Sequence, residues 1–282
     1  MVRRIVSALV AATLGIIVLI LDFKPLYTVI ISVLSVVAVY EIFVATKYIK
    51  NKVISTFSLI FVLVVPSIFI NVRLRENLPA ISFFFLLVLF VIMIYMHEKI
   101  SFEGVSLVIL VSLCIPLSLS CLLFTRLFSE EHGMFFMIFT LLAIWVGDAG
   151  AYFIGTAFGK HKMVPKISPK KTWEGFFGGL FCSGLIGIIA PNVYEMLYQN
   201  FSGGTVITTD KIFFVGTAVI CSVLGVVGDF SASIVKRQCA VKDFGNILPG
   251  HGGVLDRFDS VLFAAPFMYQ MLHYYFPLAV MG

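Results

Sequence analysis

No charged side chain stands between Pro79 and Met96. A helix needs roughly 20 mostly apolar residues to cross the hydrocarbon of a bilayer, and runs approaching that length recur along the whole chain. They are Ile5–Leu21, Pro25–Ala45 with Glu41 inside, Val53–Ile70, Pro79–Met96, Gly104–Phe124 and Gly133–Phe158 with Asp148 inside. Beyond a basic loop follow Gly175–Val193, Ile212–Ile234 with Asp229 inside, and Ser260–Met281. Composition agrees, with 60% hydrophobic and 12% charged residues in 282, where a soluble domain carries about 25% charged. A water-soluble globule is excluded, because too few polar side chains exist to cover its core. The 29 Phe and 10 Tyr exclude a disordered chain. An open sheet would leave unpaired edges in lipid, and a barrel would alternate where Ser82–Met96 is solid. The expectation is therefore an all-α, polytopic integral membrane protein of about nine transmembrane helices.

Lys and Arg concentrate in cytoplasmic connections of such proteins. With the N-terminus in the cytoplasm, only Lys24, Arg73, Arg75, Arg126 and Lys211 of the 20 basic residues fall outside. The expected orientation is N-terminus cytoplasmic and C-terminus outside, with Pro66 and Pro116 as candidate sites of a broken or re-entrant helix. Arg3-Arg4 before an apolar run resembles a signal peptide, but no small-residue cleavage site follows Leu21, so the run is read as a retained helix. The five Cys form no CxxC pair and read as small buried hydrophobes.

Residues 145–175 and 226–259 hold nearly all the unusual polar residues, Glu41 being the one mid-span charge before residue 136. Residues 1–135 read as a scaffold of spans, and residues 136–282 as a catalytic region with cytoplasmic loops 158–175 and 231–259. Its two polar stretches begin alike, Val146-Gly147-Asp148-Ala149-Gly150-Ala151 and Val227-Gly228-Asp229-Phe230-Ser231-Ala232, too few positions to establish a duplication. An acid inside a span costs about 2.5–3.5 kcal/mol and usually faces a polar cavity. Asp148 and Asp229 are such acids. If the helix continues past Asp229, then Ser233 and Lys236 share its face. Glu41 reads as a bundle contact or a snorkelling group. In the first loop Ser168, Lys170, Lys171 and Thr172 surround a proline turn and suit a polyphosphate, beyond what positive-inside charge explains. In the second loop Lys236, Arg237 and Lys242 precede Gly252 and Gly253, whose backbone N–H groups suit an anion at the start of the last helix. Asp256 and Asp259 are three apart on one helical face and suit Mg²⁺ against phosphates, with Arg257 between them in sequence. His251 reads equally as general base, phosphate donor or cap.

The residues Ser233, Lys236, Arg237, Lys242, Asp243, Gly245, Pro249, His251, Gly252, Gly253, Asp256, Arg257 and Asp259 resemble the signature of the phosphatidate cytidylyltransferase (CDP-diacylglycerol synthase) family. Asp148-Ala149-Gly150-Ala151-Tyr152 and Ser168–Gly175 are similar to further motifs of that family. The likeness is specific over about residues 145–260; over 1–135 it is one of size and hydropathy. Many bacterial members carry an acid where this chain has Ala232, so no carboxylate is supplied there. The resemblance implies transfer of a cytidylyl group from CTP to phosphatidate at the cytoplasmic face of a cell membrane, in phospholipid biosynthesis. It implies Mg²⁺, a second cation being left open, with Asp229 and Asp256 as the principal metal carboxylates. Asp148, Asp259 and His251 complete the implied catalytic set, and Ser168, Lys170, Lys171, Thr172, Ser233, Lys236, Arg237, Lys242, Gly252, Gly253 and Arg257 the phosphate contacts. Partners are then CTP, phosphatidate and the lipid bilayer, with no nucleic acid; a homodimer is left open. A CTP-dependent polyprenol or dolichol kinase stays second, and a cation-coupled transporter third. The transporter has no need of His-Gly-Gly-x-x-Asp-Arg-x-Asp in a loop.

Overall fold

A computed structural model describes residues 13, 18, 21–47, 52–68, 70–202, 204–246 and 252–281. Six described helices are long and apolar enough to span a membrane. They are α1 (Lys24–Thr46), α4 (Leu78–Tyr95), α5 (Phe102–Leu127), α6 (Gly133–Phe158), α7 (Trp173–Phe201) and α8 (Lys211–Gln238). Shorter helices are α2 (Lys52–Ile68), α3 (Val72–Glu76), α9 (Leu255–Phe258) and α10 (Val261–Tyr274). Pro66 and Pro116 lie inside α2 and α5 and break neither. The window Ile5–Leu21 lies almost wholly outside the described residues.

The expected count of nine long spans is not reached among the described residues. The Val53–Ile70 window forms a helix of 17 residues. The Ser260–Met281 window forms one of 14 residues and then a strand. Pro277 accounts for the second difference: it lacks an N–H, and it forces the residue before it out of the helical region. Helical structure is also not the whole fold. Strands β1 (Lys162–Val164) and β2 (Ser168–Thr172) form an antiparallel hairpin. Strands β3 (Val206–Thr209) and β4 (Leu278–Met281) pair antiparallel from Val206↔Met281 to Thr209↔Leu278. Only Cys221 of the five cysteines is buried.

The chain forms two compact units, Met1–Leu123 with Lys236–Phe258, and Phe124–Val235 with Asp259–Gly282. In the first unit, α4 buries only Phe85 and Leu89. Phe57 and Phe61 of α2 stack on Phe85, with ring centroids 5.6 and 3.9 Å apart. Phe83, Phe84, Leu87, Phe90 and Ile94 of α4 are exposed, the arrangement lipid permits and water would not.

In the second unit, α6 and α7 form the most extensive helix pair. Lipid offers no hydrophobic drive between helices, so small residues that admit close packing hold such pairs together. Gly147, Gly150, Gly178 and Gly179 are all buried along this seam. A Cβ at Gly150 would lie 2.6 Å from Cys182 Sγ, and one at Gly175 would lie 2.6 Å from the Ala151 carbonyl oxygen. The Ser183 hydroxyl reaches the carbonyls of Ala143 and Ala218 at 2.8 and 2.7 Å, tying α6, α7 and α8. Helix α10 runs antiparallel along α8. Gly228 meets the Asp259 carbonyl at one end, Cys221 meets Ala264 midway, and β3 meets β4 at the other end.

Candidate active site

The lysine-rich loop is an ordered hairpin. Trp173 N–H donates to the His161 carbonyl at 2.9 Å, and Glu174 accepts from His161 Nδ1 at 2.6 Å. Thr172, 3% exposed, accepts from Gly175 N–H at 3.2 Å and so caps the start of α7. The motif Ser168–Thr172 is strand β2. Successive residues of a strand point to opposite faces, which explains why the two adjacent lysines differ. Lys170 is exposed, whereas Lys171 is half-buried and ion-paired to Asp229 Oδ2. The Lys171 ammonium also lies 4.6 Å from the centroid of the Phe230 ring, a favourable cation–π placement.

Asp148 on α6 belongs to the same neighbourhood, within electrostatic reach of Lys171 and Asp229. One of its oxygens accepts from the Ser260 hydroxyl at 3.1 Å. Asp259, 7% exposed, accepts from Ser260 N–H at 2.8 Å. The second unit thus gathers Asp148, Lys171, Asp229 and Ser260. Ser260 carries no motif signal of its own, and its part emerges only from packing.

Helix α8 continues through Gln238 rather than ending before residue 231, so Ser233, Lys236 and Arg237 are helical. The connection proper is eight residues shorter at that end than the loop 231–259 expected from sequence. In the first unit, Lys236 Nζ lies 2.8 Å from Asp256 Oδ1, with the Asp256 side chain 7% exposed. Asp256 Oδ2 accepts from Phe244 N–H at 2.9 Å and from Gly253 N–H at 3.0 Å. The Gly253 N–H, expected to meet an external anion, is therefore occupied by the chain's own carboxylate. Gly252 adopts φ +83°, which only glycine takes without strain. Asp256 lies in a four-residue helix that ends at Phe258, so Asp259 falls beyond it and not on one continuous face with Asp256. Lys242, Arg237 and Arg257 are exposed, Ser168 and Ser233 half-buried, and His251 lies outside the described residues.

Sequence reasoning also missed the partner of this segment. Glu41, 2% exposed on α1, accepts Val254 N–H at 3.0 Å and Leu255 N–H at 2.9 Å. The one available signal was an acid isolated in an apolar run.

Among the described residues no three His, Cys, Asp or Glu side chains come together as a metal cage. Mg²⁺ needs none: it keeps several waters and is usually bound by one or two carboxylates plus substrate phosphates. Asp229 and Asp256, each paired with a lysine within its own unit, are single carboxylates of the kind that mode of binding uses.

The fold defines a polytopic helical membrane protein, and its motif residues include two Lys–Asp pairs. A model of the Cytidylyltransferase family matches residues 2–275, and the chain belongs to that family. It is similar to proteins named phosphatidate cytidylyltransferase from Bacillus subtilis (41% identical over 143 residues, 51% of this chain and 49% of the relative). The same name is carried by a Haemophilus influenzae relative, 42% identical over 137 residues (48% and 45%). A Staphylococcus aureus strain COL relative is 43% identical over 145 residues (51% of each). The chain spans about half the length of the curated relatives it matches.

Proposed function

We propose that this protein transfers a cytidylyl group from CTP to phosphatidate, releasing diphosphate and leaving CDP-diacylglycerol in the membrane. The observation that carries the reading is the pairing of motif lysines with motif aspartates, Lys171 with Asp229 and Lys236 with Asp256. Membership of the Cytidylyltransferase family and the names of the three relatives support it.

The lipid phosphate oxygen is the nucleophile, so no Ser or Cys needs activation. It attacks the α-phosphorus, the bond from that phosphorus to the bridging oxygen of the β-phosphate breaks, and diphosphate departs with the electron pair. Bringing two anions together demands positioning and positive charge. Lys171 is held by Asp229 and the Phe230 ring, and Lys236 by Asp256 and the Phe244 ring at 5.3 Å, so both ammonium groups are oriented before substrate arrives. Asp229 and Asp256 would hold Mg²⁺, which supplies charge neutralisation at the phosphates. Asp148, Asp259 and His251 support this chemistry, and Ser168, Lys170, Ser233, Arg237, Lys242 and Arg257 contribute to phosphate binding, whereas the buried Thr172 is engaged in capping α7.

We place the reacting ends in the cytoplasm, since CTP is soluble and basic residues concentrate there. The pairing of β3 with β4 supports a common side for residues 206–209 and the C-terminal strand. The test is to incubate purified full-length protein with phosphatidate and CTP labelled at the α- or the γ-phosphorus. Label from the α-position is expected in lipid. Label from the γ-position would reassign the protein to lipid kinases, and a folded protein that labels no lipid would overturn the reading.

A further inference from the structure

We propose that Glu41, far from the motifs in sequence, is a positioning residue for the segment that carries Asp256. This deepens the function proposed above and rests on it for the catalytic consequence, though not for the structural one.

The geometry is bidentate. One carboxylate takes two successive backbone N–H groups, Val254 on Oε1 and Leu255 on Oε2, across 213 and 214 residues of sequence. Val254 and Leu255 are 6% and 3% exposed, so water cannot replace the acceptor. The preceding N–H, that of Gly253, goes to Asp256 instead. Three consecutive donors are thus shared between two acids, and both acids grip the same short stretch of backbone.

Two glycines bear the imprint of this contact. A Cβ at Gly245 would lie 2.3 Å from Glu41 Oε1, and one at Gly253 would lie 2.6 Å from Oε2. The segment passes the carboxylate on both sides at distances no side chain allows. Glu41 therefore fixes where the backbone enters α9, one residue before Asp256. Asp256 in turn holds Lys236 and the Phe244 N–H. Helix α1 thereby supplies an anchor to a loop whose sequence shows nothing of it. A snorkelling role is incompatible with an acid 2% exposed and doubly bonded to backbone.

The experiment compares wild-type, Glu41→Gln and Gly245→Ala full-length protein in phosphatidate-containing nanodiscs. Peptide-level hydrogen exchange, melting temperature and cytidylyl transfer are measured on each. In Glu41→Gln the amide keeps one acceptor and turns an N–H₂ towards the second donor. Gly245→Ala keeps the carboxylate and pushes it aside, so it serves even if Glu41→Gln folds poorly. Expected in both is exchange at least tenfold faster over residues 252–256, unchanged protection in α6 and α7, a melting temperature lowered by the lost or displaced buried acceptor while the protein stays folded, and kcat lower by about 10- to 100-fold. Folded variants whose exchange over 252–256 matches wild type overturn the proposal. So does local loosening that leaves kcat at the wild-type value in an enzyme that transfers cytidylyl groups. If wild type transfers none while exchange over 252–256 responds as stated, the anchoring role stands and the proposed function is what fails.

Discussion

In an extended strand consecutive side chains leave opposite faces, and in β2 this separates the work of two residues that the sequence treats alike. Lys171 has Asp229 and Phe230 as neighbours, while Lys170 is exposed. Removing Lys171 leaves a half-buried acid without its cation, and charge-assisted contacts contribute about 1.5–3 kcal/mol, roughly 10- to 150-fold. Lys171→Ala is therefore expected to lower kcat/KM for CTP by that factor, and Lys170→Ala by about threefold or less, as exposed charges do. Steady-state transfer with each variant in the same membrane preparation checks the ranking. Equal losses would mean that the two lysines carry equal shares of the phosphate binding. Residue types were legible in the sequence: Asp148 and Asp229, acids inside apolar runs, and Lys171, beside a proline turn, stand near one another in the second unit. Their partners were not, because Ser260 and Glu41 are placed by packing over 112 and more than 200 residues of chain.

At the scale of elements, two contrasts follow from packing. Gly175 opens α7 against α6 with no room for a methyl group, whereas Gly216 on α8 has no neighbour within 4 Å of where a Cβ would stand. Gly175→Ala is expected to destabilise by about 1–3 kcal/mol through overpacking. Gly216→Ala is expected to stabilise by up to about 1 kcal/mol through helix propensity alone. Melting in detergent distinguishes the two signs. The second contrast concerns pH. Asp210 caps α8 through Ile212 and Phe213 N–H at 3.0 and 3.1 Å and accepts from the Tyr275 hydroxyl at 2.8 Å. That hydroxyl, then the backbone N–H groups, holds the Asp210 carboxyl below the ordinary carboxylate range, and the same bond pushes the Tyr275 phenol upward. A depressed acid contributes above its unfolded value of about 4 and loses that as pH falls through the lower folded value. A raised phenol contributes below its unfolded value of about 10 and loses that as pH rises through the higher folded one. The stability difference between wild type and Tyr275→Phe is thus expected to be level from about pH 4 to 10 and to shrink on either side. A difference that instead changes sharply near neutrality would point to another group.

For the whole molecule, hydropathy gave the class and placed most helices within a few residues. Its largest overrun among the described residues is at Pro277 and β4, where proline and strand pairing intervene, since hydropathy does not distinguish an apolar strand from an apolar helix. The ordered β1–β2 hairpin was likewise invisible to hydropathy, being set by Glu174 and Thr172 contacts. Because α10 returns along α8 to the β3 end, a reporter fused after residue 281 and one inserted between residues 202 and 205 are expected on the same side of the membrane. A reporter within residues 165–167 is expected on the other side. Opposite sides for the first two would contradict the pairing of β3 with β4.

The helix contacts made through glycine also divide into two kinds under genetic selection. At Gly150 the obstacle to a methyl group is the Cys182 side chain, the next atom being 3.4 Å away on the Gly178 carbonyl. Damage from Gly150→Ala is therefore repairable by a second-site change, Cys182→Gly, which moves the hole from one helix to its neighbour. At Gly175 and Gly228 the obstacle is a carbonyl oxygen, of Ala151 and Asp259. Every amino acid has that atom, so no substitution at the facing position can make space. A screen for intragenic suppressors is expected to recover Cys182→Gly from Gly150→Ala and, from Gly175→Ala or Gly228→Ala, only reversion to glycine.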